Sequence, residues 1–140
     1  MLVEASTVVE RPVTDVWDFY AVNHVTNHPR WDETVELKAT NNGTIGVGTV
    51  IQRRVTRFGH VTDGTMEVTE FVPERMMRVR TQDGPMAIDG FASFRAIGDA
   101  RTEITVGAEI PDIDQSMAEQ LRIMARGSVA NIKALIESET

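Results

Sequence analysis

Between residues 49 and 110 five strand-like runs follow one another with almost nothing between them, and this spacing limits the fold more than any other feature. "TVIQRRVTRF" and "HVTDGTMEVTEF" flank Gly59, "RMMRVRTQ" follows the turn "VPER", "PMAIDGFASFRAI" follows the Asp-Gly of "QDG", and "RTEITVGAEI" follows "GDA". Parallel strands need crossovers of roughly a dozen residues or more, so strands joined by turns this short are predicted to pair antiparallel. Upstream, "VEASTVVE" (3–10) carries β-branched residues and reads as a first strand. "TVELKAT" (34–40) alternates as another, ahead of the turn-rich loop "NNGTIGVG". Between these two strands, Val13, Val16, Trp17, Tyr20 and Ala21 recur at helical spacing behind Pro12, which predicts a short helix. In "HVTNHPRWDET" (24–34), Pro29 biases His28 away from helical geometry and is expected to end a second short helix.

The last element has a different period. From Met117, the stripe of Leu121, Met124, Ser128, Ile132, Leu135 and Ile136 predicts one amphipathic helix about 30–35 Å long. "SMAE" (116–119) fits a capping box with Ser116 as cap and Glu119 reaching back, and "DIDQ" (112–115) is a competing start. An antiparallel sheet with one apolar face needs a cover, and this helix is the only element of matching size. The pattern is therefore α+β, in one domain over residues 1–140 by its length. A chain of this size buries roughly 68–70% of its unfolded surface and needs no covalent staples.

Composition excludes several function classes. There are no cysteines, which removes disulfides, zinc-thiolate sites and cysteine nucleophiles. The net charge of −7 argues against nucleic acid or an anionic membrane surface as partner, because nothing offsets repulsion from phosphates. "MLVEASTVVERP" has no basic segment followed by an apolar run, so no signal peptide is expected. No window approaches the ~18 continuous apolar residues of a membrane span. A cytoplasmic location is the expectation. "GTIGVGT" is not followed by a helix whose N-terminus would hold phosphate, so no nucleotide and no other cofactor is expected. A homodimer is compatible with the sequence.

Register on the last strands points to space under the helix. One face of residues 86–94 presents Met86, Ile88, Gly90, Ala92 and Phe94, and one face of 104–110 presents Ile104, Val106, Ala108 and Ile110. Met66 and Val68 are the inner residues of 66–70, with Glu70 following. Gly90, Ala92 and Ala108 leave room that is either filled by large neighbours or left as a pocket. Met66, Met86, Met117 and Met124 are placed to face it, either as adaptable core or as the wall of a ligand site. Whichever register holds, Arg53 or Arg54 points to the helix side. A buried guanidinium needs a partner, which is either Glu70 on the next strand or a polar group on a ligand.

His24 and His28 stand four apart, the spacing of two metal ligands on one helix face. Pro29 and the β-branched neighbours work against that geometry, and no HExxH-like glutamate lies between the histidines, so no metal site is expected. His28 acting alone as acid or base at a pocket mouth is the better candidate, with Arg53, Arg54 and Glu70 as the other titratable groups placed for chemistry. Asp32 and Glu33 read as a solvated pair.

"VERPVTDVWDFYAVNHVTNHPRWDETVELKAT", "GVGT", "MEVTEFVPERMMRVRTQDGP" and "GFASFRAIGDARTEITVGAEI", followed by the long last helix, resemble a polyketide cyclase/dehydrase-type member of the START-like (SRPBCC) superfamily over about residues 3 to 138. The resemblance implies a helix-grip fold. In it a curved antiparallel sheet of about six to seven strands, with two short helices after the first, wraps a long C-terminal helix around a deep apolar cavity. Members bind lipids, sterols, polyketides or plant hormones, and some catalyse cyclisation or dehydration. Trp17 and Trp31 match the family motifs, and His24 and His28 do not. The resulting expectation is a small hydrophobic, lipid- or polyketide-like ligand against Trp17, Trp31, Met66, Val68, Met86, Ile88, Leu121 and Met124, with Arg53 or Arg54 as polar anchor. The alternatives are a cyclase or dehydratase using acid–base residues in that cavity, and a non-catalytic interaction module for which an exposed Phe91 would be the first surface.

Overall fold

The computed structural model describes residues 1–140 except 41, 42, 58, 112 and 140. Parts of three expected features therefore lie outside the described residues: the start of the "NNGTIGVG" loop, the end of the "TVIQRRVTRF" strand and the first residue of "DIDQ". Seven strands form one sheet: β1 (Leu2–Val9), β2 (Val35–Ala39), β3 (Val50–Arg57), β4 (His60–Val72), β5 (Met76–Asp83), β6 (Met86–Ile97) and β7 (Arg101–Glu109). Their order across the sheet is β1-β7-β6-β5-β4-β3-β2, with every neighbouring pair antiparallel. The strands from β3 to β7 are the expected meander, and β1 closes the far edge by pairing with β7, Val3 opposite Ala108 and Ala5 opposite Val106.

Alternation decides what faces inward. Ile51, Arg53 and Val55 share one face of β3, and Met77, Val79 and Thr81 share one face of β5. In β4 the alternation breaks: Val68 pairs with Val79 but Glu70 pairs with Arg78, a bulge that inserts Thr69 as the extra residue. Beyond it Phe71 takes the inner face opposite Met77, and Glu70 is turned outward to an ion pair with Arg78 at 3.2 Å. Glu70 is therefore not an inner carboxylate.

The long helix α3 (Gln115–Glu139) packs across β1 and β7 and buries Ala118, Val129, Ile132 and Ile136. At 1.5 Å per residue its 25 residues span about 37 Å. Its N-cap is Asp114, whose Oδ1 accepts the Met117 N–H at 2.8 Å, so the competing start takes precedence over the Ser116 box. Glu119 pairs instead with Arg122 and Arg126.

The segment between β1 and β2 holds α1 (Val13–Trp17), a π-wound turn (Asp18–Val22) and α2 (His24–Trp31). In the π turn the Asn23 N–H reaches the Asp18 carbonyl five residues back, at 3.0 Å. The added residue rotates α2 by about 100° relative to a continuous α-helix. Contrary to expectation, α2 runs through Pro29 to Trp31. Proline removes one helical donor there, and contacts from outside the helix hold the turn together. Trp31 is buried, the Asn131 Nδ2 donates to its carbonyl at 3.1 Å, and the Asn27 Nδ2 donates to the Phe19 carbonyl at 2.8 Å.

Candidate functional site: a cavity between sheet and helix

A cavity of about 220 Å³ lies between the inner face of the sheet and α3, with α2 along one side. The sheet contributes Met66, Met77, Val79 and Ile88 to its wall, and α3 contributes Leu121, Met124 and Ser128. Gly90, Ala92 and Ala108 border it too, and their missing side-chain volume is what the space consists of.

Five of the sequence-predicted wall residues, Trp31, Met66, Ile88, Leu121 and Met124, face this cavity. The other three do not. Trp17 sits in the core behind it, with ring centroids 4.9 Å from Phe71 and 5.2 Å from Phe94. Val68 is fully buried in that same core. Met86 shares the inner face of β6, but it lies at the strand's start and is 46% exposed, outside the cavity wall. Met117 is also outside the wall, and Met77, which shares its face with Val79 and Thr81, lines it. Phe91 is half-buried: the Arg78 guanidinium lies 5.3 Å above its ring, and the ring crosses Gly107, where a Cβ would come within 2.9 Å of its Cζ.

Of the two arginines, Arg53 points inward and Arg54 outward. Arg54 is exposed and pairs with Asp63 across the strand at 2.8 Å. Arg53 lines the cavity, its side chain only 8% exposed, and its partner is Asp83 rather than Glu70. The two residues are separated by β4, where Gly64 stands opposite both. A Cβ on Gly64 would collide with the Gln82 carbonyl oxygen and lie 2.9 Å from Asp83 Oδ1. Gly64 thus clears the gap through which the Asp83 carboxylate reaches across. The carboxylate engages only Nε of Arg53, at 3.0 and 3.4 Å. Among the described residues no enclosed side-chain nitrogen or oxygen lacks a partner. The two terminal nitrogens of Arg53, which make no hydrogen bond there, therefore border open space. Arg57, also in the wall, donates to Thr34 Oγ1 at 3.1 Å and to Asp32 Oδ2 at 2.8 Å. Asp32 is thus a structural anchor and not half of a solvated pair.

The two histidines, both in the cavity wall, are brought together by the helix that Pro29 was expected to break. His24 Nδ1 lies 2.8 Å from the Tyr20 carbonyl oxygen, and His28 Nδ1 lies 2.9 Å from His24 Nε2. Burial, with the nearby Arg53 charge, holds His24 down to about 4 even though its bond to the Tyr20 carbonyl favours the proton. Burial, His24, Arg53 and Arg57 all push His28 well below its ordinary value. Both rings are neutral at pH 7. Trp31 stacks on both Tyr20, 4.8 Å and 14° away, and His28, 5.0 Å and 17° away. The Tyr20 phenol, pushed up by burial, stays protonated and makes no hydrogen bond among the described residues. Tyr20, Met77 and Thr81 are site residues that the sequence reading does not single out, and His24 enters it as half of a pair at metal-ligand spacing, not as a cavity residue. For Met77 and Thr81 a signal exists, in the shared parity of "MMRVRTQ", and the spacing of four marks His24 beside His28; for Tyr20 there is none, because the π turn sets its direction.

The imidazole nitrogens point at each other, not at a common point, and among the described residues no three His, Cys, Asp or Glu side chains converge. No helix among them is long and apolar enough to cross a membrane.

No family model matches this chain, and no curated protein does either. Solved structures match it throughout. The crystal structure of Ara h 8.0201 superposes with a TM-score of 0.74 at 10% identity, over 99% of both chains. The Zhui aromatase/cyclase from Streptomyces sp. R1128 gives 0.71 at 16% identity, over 98% of this chain and 93% of that one. The chain has the helix-grip fold. The di-domain ARO/CYC BexL from the BE-7585A biosynthetic pathway gives 0.76 at 16% identity, over 98% of this chain and 46% of that one.

Proposed function

We propose that this START-like protein binds a small, mostly apolar molecule in the cavity between the sheet and α3. The observation that carries the reading is an internal space walled by Met66, Met77, Ile88, Leu121 and Met124, with one buried guanidinium, Arg53, presenting unused donors to it. A compact apolar cavity of ~150 Å³ admits benzene, so about 220 Å³ suits one or two rings better than a full lipid chain. Native mass spectrometry of freshly purified protein is expected to show a retained small molecule. Ala108→Leu, which adds three carbons to a residue bordering the space, should abolish retention while leaving the fold intact. Retention unchanged in that variant, or no uptake of any small aromatic compound by the wild type, would overturn the reading.

A second reading, an acid–base enzyme acting on a polyketide-like substrate, is favoured by one arrangement: a neutral imidazole, His28, in the same wall as the Arg53 donors. Among the solved structures with this fold, Zhui and BexL are described as aromatase/cyclases, which gives the reading a chemistry to test. Turnover of a poly-β-ketone model substrate that His28→Phe abolishes would decide for it. The third expectation, an interaction module docking through Phe91, loses its motive because that ring is already covered by Arg78.

A further inference from the structure

We infer that the cavity selects ligands carrying a hydroxyl group, because the His24–His28 pair presents it with one fixed hydrogen-bond acceptor, His28 Nε2. This rests on the cavity-binding reading above and specifies which chemistry the site prefers.

The direction of the acceptor is set by the backbone atom at which the chain of contacts begins. A backbone carbonyl can only accept, so the contact between His24 Nδ1 and the Tyr20 carbonyl at 2.8 Å requires the proton on His24 Nδ1. A neutral His24 then has a bare lone pair on Nε2. The atom 2.9 Å from that lone pair is His28 Nδ1, which must therefore carry a proton and donate it. His28, neutral in its turn, is left with its lone pair on Nε2. Each step is forced by the one before it, and the carbonyl is the fixed end. Burial and the Arg53 charge oppose protonation of either ring, and Arg57 adds to this at His28, so the order is not scrambled near neutral pH.

His28 Nε2 makes no hydrogen bond among the described residues, and no enclosed polar atom there is without a partner. It therefore opens onto space, on a ring that lines the cavity and is held flat against Trp31. A ligand that takes the place of water at this atom must donate a proton to it, and a hydroxyl does so while an ether oxygen cannot. Of the other polar groups in the wall, the free nitrogens of Arg53 only donate, the Tyr20, Thr81 and Ser128 hydroxyls rotate and can donate or accept, and the Asp32 carboxylate is engaged by Thr34 and Arg57. His24 makes no contact with the ligand in this scheme. It is a positioning residue that sets the tautomer of His28.

The test uses the full chain and three probes of one size: β-naphthol, its methyl ether and naphthalene. By calorimetry, β-naphthol should bind about tenfold more tightly than either of the others. His28→Phe keeps an aromatic ring on Trp31 and should bring the affinities of the naphthol and its ether to within about twofold of each other. Equal affinity of naphthol and ether in the wild type overturns the inference while leaving cavity binding in place. Failure of all three probes to bind overturns both. Nitrogen NMR of the histidine-labelled wild type needs no variant to fold: it should show His28 Nε2 without a proton at pH 7, and a proton on that atom overturns the assignment.

Discussion

Acidifying the unliganded protein from pH 7 to pH 5 should remove roughly 2 kcal/mol of its folding stability, through His24 alone. His24 is 3% exposed and held at about 4 in the folded chain, mainly by burial, against an ordinary value of 6.5. Below 6.5 the unfolded chain takes up a proton that the folded one refuses. Stability is therefore fully present above 6.5, falls as the pH drops toward 4, and levels off beneath it. At about 1.36 kcal/mol per pH unit the whole effect is roughly 3.4 kcal/mol, and a little over half of it lies between pH 7 and pH 5. Carboxylates, with ordinary values near 4, barely titrate in that window, so the histidines stand apart there. His28 shifts in the same direction and adds to the loss. Urea unfolding at a series of pH values is the assay, and 2 kcal/mol corresponds to a midpoint lower by about 1 M. The double variant His24→Phe/His28→Phe should show a nearly flat profile over the same window. A wild-type midpoint that does not move, or a double variant that keeps the wild-type slope, would refute the burial reasoning.

Gly64→Ala should destabilise the fold by about 2 kcal/mol or more in denaturant titrations, because its Cβ has no room beside the Gln82 carbonyl and Asp83 Oδ1. A loss under about 0.5 kcal/mol would mean the strands part without consequence. Asp83→Asn leaves the Arg53 charge without its carboxylate in a largely buried site and should cost about 2 kcal/mol, below the full figure for an enclosed pair because Arg53 also borders the cavity. Asp63→Asn, at the exposed Arg54 pair, should leave the melting midpoint unchanged. Equal effects of the two substitutions would contradict the contrast in burial.

The sheet is legible in the sequence because its strands carry period-2 alternation and its turns are too short for anything but antiparallel return. Where β4 departs from that alternation, the cause is one residue: the bulge at Thr69 turns Glu70 outward and Phe71 inward, and "MEVTEF" contains no glycine or proline to announce it. Pro29 misleads for the opposite reason. Its local preference is real, but the burial of Trp31 and the side-chain bonds of Asn27 and Asn131 outweigh it, and none of these contacts is local to the helix.

The polar half of the cavity shows why a site is harder to read than a fold. Alternation already favours Arg53 over Arg54 as the inward residue, since Ile51 and Val55 share its parity, yet the nearest acid by sequence pattern is the glutamate one strand away. The actual partner is two strands away, reached across a glycine that sequence alone marks only as a weak point in a strand. Gly64 and Asp83 acquire their meaning from register, and so does the histidine pair, whose proton order begins at a backbone carbonyl in a π turn. A buried ion pair adds little net stability over an apolar pair of the same shape. Its presence beside a cavity, with the guanidinium's terminal nitrogens unused, is therefore better accounted for by what enters the cavity than by what holds the sheet together.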